Sequence, residues 1–138
     1  MAADLPSSSK DDRGRDLTAA DVVQPVFVVE SGDVEVHASL DEAISSLEGV
    51  DVADGIYQVF DAAGRRIRLR AEGVKRGRFT VDVGTVYLDR IEESSDGPSE
   101  LLRALRQYAR RLGRTDLDSA GLGDLVEAMK QMQGLKRT

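Results

Sequence analysis

The feature that most constrains the fold is a series of short segments in which apolar and polar residues alternate between turn residues. Residues 26–29 form an apolar, β-branched run, Ser31-Gly32-Asp33 follows as a turn, and residues 34–39 then alternate in polarity. A period of two places one side chain in the core and the next in solvent, which is typical of strands in a half-buried sheet. These segments predict a β-hairpin.

The same pattern continues further along the chain. Residues 56–60 indicate a strand, Asp61-Ala62-Ala63-Gly64 indicates a hairpin loop, and residues 66–71 alternate strictly between arginine and apolar side chains. The glycines from 73 to 77 predict a turn. Residues 79–91 predict a further extended segment, in which Gly84 introduces a bend or bulge.

Three segments have the spacing of amphipathic helices. Ser39-Leu40-Asp41-Glu42 fits a capping box before a helix over residues 40–47, and Gly49 suits the position just past its end. A second helix is predicted from an N-cap at Ser99 to Gly113, and a third after Gly121. The order β-β-α-β-β-β-α-α predicts an α+β fold with a mainly antiparallel sheet of about five strands and helices gathered on one side or at one end.

The length of 138 residues favours one domain. Residues 1–21 are polar and lack apolar periodicity, which predicts a disordered tail, and residues 22–138 form the predicted domain. Apolar runs fall short of the roughly 20 residues that a membrane span needs, and the first 22 residues contain no apolar signal region. We therefore expect a cytoplasmic protein without a membrane partner.

Charge is distributed unevenly along the chain. Residues 1–64 contain 14 acids and 3 bases, a balance of -11, whereas residues 65–138 contain 11 acids and 16 bases, a balance of +5. The default expectation is that the two halves face each other in the fold and partly neutralise each other. The alternative is an interaction surface of two signs.

Residues that could carry chemistry are scarce. Cysteine is absent and His37 is the single histidine, which excludes disulfides, thiolate metal sites and cysteine nucleophiles. A catalytic His37 would need a helper such as Glu35 on the same face of the strand, and a hydrogen-bonded surface histidine is the default interpretation. Because no nucleotide-binding, metal-ligand or nucleophile motif occurs, we expect no catalytic residues, no bound metal and no cofactor.

The stretch VFVVESGDVEVHASLDEAISSLEG, followed by DVADGIYQVFDAAGRRIRL, has a hairpin, helix and second hairpin within residues 26–69. It resembles small bacterial proteins, common in actinobacteria, several of which look like immunity proteins of polymorphic-toxin or contact-dependent competition systems. The resemblance covers about a third of the chain and carries no catalytic motif. It implies a protein that binds a toxin domain stoichiometrically, often by covering the toxin's active site.

A partner surface of this kind would be acidic, because charge complementarity speeds encounter with a basic domain such as a nuclease toxin. We therefore predict an acidic surface made of the carboxylates on the first hairpin, the first helix and the following loop. Its residues are Glu30, Asp33, Glu35, Asp41, Glu42, Glu48, Asp51 and Asp54.

Two other interpretations remain open: a regulatory or structural interaction module, and a nucleic-acid-binding domain. The second would use the arginine face, which consists of Arg66, Arg68, Arg70, Lys75, Arg76 and Arg78. Sheets that bind RNA usually add exposed aromatic side chains, and Tyr57 is the nearest candidate. We prefer cross-strand pairing of these arginines with acids such as Asp82 as their role.

Overall fold

A computed structural model describes residues 17–78, 81–93 and 96–134. It confirms the α+β fold with a five-stranded antiparallel sheet, in the order β2-β1-β3-β4-β5. The strands are β1 (Val26–Glu30), β2 (Asp33–His37), β3 (Gln58–Phe60), β4 (Arg66–Arg76) and β5 (Val81–Glu92). The helices are α1 (Leu40–Ser45), α2 (Gly49–Ala53), α3 (Gly97–Arg111) and α4 (Leu122–Met132), with short 3-10 helices at Ala19–Asp21 and Thr115–Leu117.

The helices cover both faces of the sheet, so the expectation that they gather on one side or end is wrong. Phe27 and Val29 of β1 face a core shared with α3 and α4, whereas Val26 and Val28 face a second core shared with α1. A strand that is buried on both faces appears in sequence as an unbroken apolar run, which explains why residues 26–29 do not alternate. The sheet is therefore the middle of three layers.

The start of α1 agrees with its predicted cap. The Ser39 hydroxyl accepts the Glu42 N–H at 3.1 Å, while the Glu42 carboxylate accepts the N–H of Ala38, one residue before the cap. Gly49 does not lie just past the end of α1, because it begins the short helix α2. Similarly, α3 begins earlier than the predicted cap at Ser99: its N-cap is Asp96, and Pro98 occupies its first turn, where a missing N–H is harmless.

The long hairpin of β4 and β5 corrects the prediction of a turn from residue 73 to 77. β4 passes through Gly73, which has a positive φ of 80°, and continues to Arg76. Gly84 on β5 also has a positive φ, and a Cβ there would clash with the Glu72 carbonyl oxygen. Glycine at this position lets the two strands stay paired where the ribbon twists.

The boundary of the predicted tail is also revised for the residues that the structure describes. Leu17 is 7% exposed and belongs to the core under α1, and the Thr18 N–H donates to the Asp21 carboxylate at 2.7 Å. Residues 17–21 are thus part of the packed domain. The remainder of the predicted tail, residues 1–16, lies outside the described residues.

A buried ion pair ties this N-terminal segment to the loop between β3 and β4. Asp61 is fully buried and accepts hydrogen bonds from the backbone N–H groups of Val23, Ala63 and Arg65. The Arg65 guanidinium meets the same carboxylate at 2.9 Å and also donates to the Asp21 carbonyl. The segment that the sequence predicts as a hairpin loop therefore contains a buried ion pair that joins the loop to the N-terminal segment.

Candidate functional site

The acidic surface extends over the side of the molecule that carries α1 and α2. No lysine or arginine occurs between Arg15 and Arg65, so every cation near these acids must come from elsewhere in the chain. Within the described ranges, the carboxylates of Glu30, Asp41 and Glu48 form no ion pair. They are exposed and accessible to a partner.

Tyr57 lies among several of these acids. Its hydroxyl donates to Asp51 at 3.3 Å, and Val29 pairs with Gln58, which brings Glu30 beside Tyr57. Partial burial, followed by the charge of Asp51, its hydrogen bond and the charges of Glu30 and Glu48, raises the pKa of Tyr57 to about 12. Glu30 at the end of β1, Glu48 at the N-cap of α2 and Asp51 within α2 therefore surround one hydroxyl, which the sequence pattern did not indicate.

His37 bridges β2 and α1 within the same surface. Its Nε2 lies 3.2 Å from Glu35 and 3.3 Å from the Ser46 hydroxyl, and its Nδ1 lies 3.5 Å from Glu42. The Ser46 hydroxyl donates to the Ala43 carbonyl at 2.7 Å, so its proton is already used within the helix. His37 is therefore a hydrogen-bonded and largely buried histidine, 13% exposed, that links Glu35 of β2 with Glu42 of α1.

Not all eight predicted residues act as one surface. Asp33 pairs with Arg111 at the end of α3 at 3.2 Å, and the Glu42 carboxylate is held by the Ala38 N–H. The remaining predicted acids are accessible to solvent beside α1, α2 and the end of β1, although Asp54 also interacts with another group.

Ion pairs between residues 1–64 and residues 65–138 neutralise part of the opposite charges of the two halves. The pairs Asp61–Arg65 and Asp33–Arg111 join them. Other arginines pair within their own half, as Arg110 does with Asp118. The charge asymmetry of the sequence therefore becomes a spatial one, with acids concentrated around α1 and α2.

The arginine face lies on the opposite side of the sheet, toward α3. Arg66 stacks over Phe60 and pairs with Glu100, and Arg70 stacks over Tyr87 and pairs with Glu72. Arg68 donates to Glu92 at 2.9 Å. Each of the three arginines on the strand thus has an acidic partner, but of these pairs Arg68–Glu92 alone crosses between strands as expected, since Glu100 lies on α3 and Glu72 on β4 itself.

The other members of the arginine face lie further along the hairpin. Lys75 pairs in register with Asp82, and Arg78 is exposed and has a partner of its own. The side chains of Arg76 and Asp82 lie outside the described set, so the predicted pairing with Asp82 is tested at the backbone alone.

Glu92 is shared between two arginines, Arg68 and Arg90, which donate to its two carboxylate oxygens at 2.9 and 3.1 Å. Partial burial would raise the pKa of Glu92, but the hydrogen bonds and charges of both arginines outweigh burial and lower the pKa below its ordinary value. One carboxylate therefore serves two guanidinium groups, and Arg90 also lies 4.0 Å from the Asp89 carboxylate.

Within the described ranges, His, Asp and Glu side chains form no group of three that could hold a metal ion. In the same part of the chain, no helix is both long enough and apolar enough to cross a membrane. A cleft of about 460 Å³ opens between the Ser31-Gly32 turn and α3, with Arg103 and Gln107 on its helical wall. Glu100 of α3 lines this cleft, whereas the eight predicted acids are not among its lining residues.

Comparison with known proteins adds no assignment. Neither a protein-family model, nor a curated protein, nor a solved structure matches this chain. The functional argument therefore rests on the residues and geometry described above.

Proposed function

We propose that the chain is a non-catalytic protein-binding module whose acidic surface docks a basic protein domain. The observation that carries the proposal is the set of carboxylates around α1 and α2 that have no lysine or arginine partner among the described residues, with Glu30, Asp41 and Glu48 as its clearest members. A surface of one sign raises the rate of encounter with an oppositely charged partner by about 10- to 1,000-fold.

Immunity-type neutralisation of a toxin in the cytoplasm is the specific form of this proposal. The resemblance of residues 26–69 supports it, and a nuclease-like toxin would supply the basic surface that it requires. The pairing of Arg66, Arg68 and Arg70 with acids of this chain favours protein docking over nucleic-acid binding, since these guanidinium groups already have partners. A regulatory module that binds a basic protein would use the same surface.

The experiment is co-purification from the source cells, with identification of the captured protein by mass, followed by surface-immobilised binding at several salt concentrations. We expect the association rate to fall as salt rises, because screening acts over about 10 Å at 0.1 M. Asp41→Lys alone should slow association several-fold, and Asp41→Lys combined with Glu48→Lys should slow it at least tenfold. Asp124→Lys is the matched control, because Asp124 is also an exposed acid in the first turn of a helix, on the opposite layer.

Two results would overturn the proposal. Equal slowing by Asp41→Lys and Asp124→Lys would show that net charge matters and that the acidic surface does not. Recovery of RNA or DNA in place of a protein, lost when Arg68 and Arg70 are neutralised, would show that the arginine face is the binding surface.

A further inference from the structure

β4 has an unpaired edge in the interior of the sheet. β3 has three residues and β4 has eleven, and the ladder between them consists of one pair, Phe60 with Arg66. Beyond that pair the two strands separate, and β4 continues with β5 as its single neighbouring strand. A regular strand without a neighbour presents N–H and C=O groups that another strand can pair with.

The direction of these backbone groups follows from the hairpin loop. The Asp61 N–H donates to the Arg65 carbonyl at 3.0 Å, so the backbone of Arg65 points toward β3. Backbone direction alternates along an antiparallel strand, and therefore Leu69 and Ala71 point toward the same, open side. The register shift at Arg68 and Leu69 adds its extra residue on β5, which leaves this part of β4 regular.

The side chains of β4 define what a pairing strand must look like. On the α2 side, a cavity of about 210 Å³ lies beside the open edge, and its lining combines polar groups, among them Tyr57 and Gln58, with the apolar side chains of Val52, Val59, Ile67 and Leu69. On the other side stand Arg68 and Arg70, which are 44% and 49% exposed and pair with Glu92 and Glu72 through Nε. A guanidinium has five N–H donors, so a further carboxylate can bind beside the one already paired. A complementary strand would place apolar side chains in the cavity and carboxylates opposite the arginines.

The two remaining edges are less suited to such pairing. At β2, the Gln133 side chain accepts the Val36 N–H at 2.9 Å and donates to the Val34 carbonyl at 2.8 Å, which closes that edge. At β5, the positive φ of Gly84 and the extra residue near Asp89 interrupt the regular strand. Bulges of this kind protect edges from pairing with other chains.

We propose that the open edge of β4, around Leu69 and Ala71, binds an extended segment of a protein partner in which acidic and apolar residues alternate. The segment adds as a strand, its carboxylates face Arg68 and Arg70, and its apolar side chains enter the cavity beside Leu69. A slip of one residue would place those carboxylates toward Tyr57 and Asp51, so charge selects the register. This site adjoins the acidic surface at Tyr57 and Asp51, but it takes a different occupant and does not depend on the function of that surface.

The test uses a fluorescent, terminally blocked heptapeptide of alternating glutamate and valine, with binding to the full chain followed by fluorescence anisotropy. We expect saturable binding that weakens at least tenfold when lysine replaces glutamate, or when the same residues are rearranged into one glutamate block and one valine block. Ala71→Pro removes an outward N–H and should also weaken binding at least tenfold, whereas Ala71→Ser, which keeps the N–H, should bind as the wild type does.

A peptide N-methylated at alternate positions provides the same test with the unchanged protein, so a folding defect in Ala71→Pro cannot obscure the result. N-methylation on the face that pairs with β4 should abolish binding, and N-methylation at the intervening positions should not. Absence of binding by the alternating glutamate–valine peptide would overturn the proposal. The proposal would also be overturned if the block peptide bound as tightly as the alternating peptide, or if both N-methylated peptides bound equally. Charge and apolar attraction without strand pairing would then account for the binding.

Discussion

The buried pair of Asp61 and Arg65 provides the sharpest prediction of stability. Asp61 is 0% exposed and accepts three backbone N–H groups in addition to the Arg65 guanidinium, whose side chain is 16% exposed. Asp61→Asn removes the charge and places an amide nitrogen near N–H donors. Breaking a buried ion pair by changing one partner costs about 3–5 kcal/mol, a large part of a typical total of about 5–15 kcal/mol.

The matched control is the pair Arg114 and Asp116, which has nearly the same geometry on the surface. Its two nitrogen–oxygen distances are 2.9 and 3.0 Å, but the side chains are 41% and 62% exposed. Asp116→Asn should leave the free energy of unfolding almost unchanged, because water replaces the lost interaction. The two substitutions should therefore differ in their effect on the free energy of unfolding because Asp61 is buried and bonded to backbone N–H groups, whereas Asp116 is exposed.

Urea unfolding followed by circular dichroism measures both variants, since the chain has no tryptophan for fluorescence. Adding Arg65→Met to Asp61→Asn should recover at least about 1 kcal/mol, because it removes the unpaired buried charge. Equal losses for Asp61→Asn and Asp116→Asn would refute the reasoning. Failure of Arg65→Met to recover any stability would show that lost backbone contacts, and not the stranded charge, set the cost.

Three further substitutions test other parts of the fold. Leu17→Ala should lower the free energy of unfolding by about 2–4 kcal/mol, because Leu17 fills the core under α1; thermal melting at wild-type temperature would contradict this. Ser39→Ala should cost about 1 kcal/mol by removing the cap of α1, while Ser45→Ala, on the exposed side of the same helix, should cost less in the same urea titration. Tyr57 keeps its proton in the folded chain to a pKa of about 12, so stability should be lost as pH rises from about 10, the unfolded value, to 12. The full shift corresponds to about 2.7 kcal/mol, which solvent screening at this half-buried site reduces to about 1–2 kcal/mol. Tyr57→Phe should abolish that alkaline loss in unfolding curves at pH 9 and 11, and an unchanged pH dependence would exclude Tyr57 as its source.

Local pattern was sufficient for the elements whose information lies within a few neighbouring residues. Alternation identified the hairpins, the Ser39 cap identified the start of α1, and the element order identified an α+β fold with five strands. These signals are readable because strand period, helix period and capping are properties of consecutive residues. The absence of cations between Arg15 and Arg65 is likewise a property of the sequence itself.

Tertiary structure decided everything that depends on residues distant in the chain. Leu17 looks like part of a polar tail until the sheet and α1 supply a core for it, and Asp61 looks like a loop residue until Val23 and Arg65 converge on it. The early separation of β3 from β4, which leaves the edge at Leu69 open, follows from strand lengths and not from any local motif. Sequence therefore determines which segments become strands and helices, whereas three-dimensional packing determines which of their surfaces remain available to a partner.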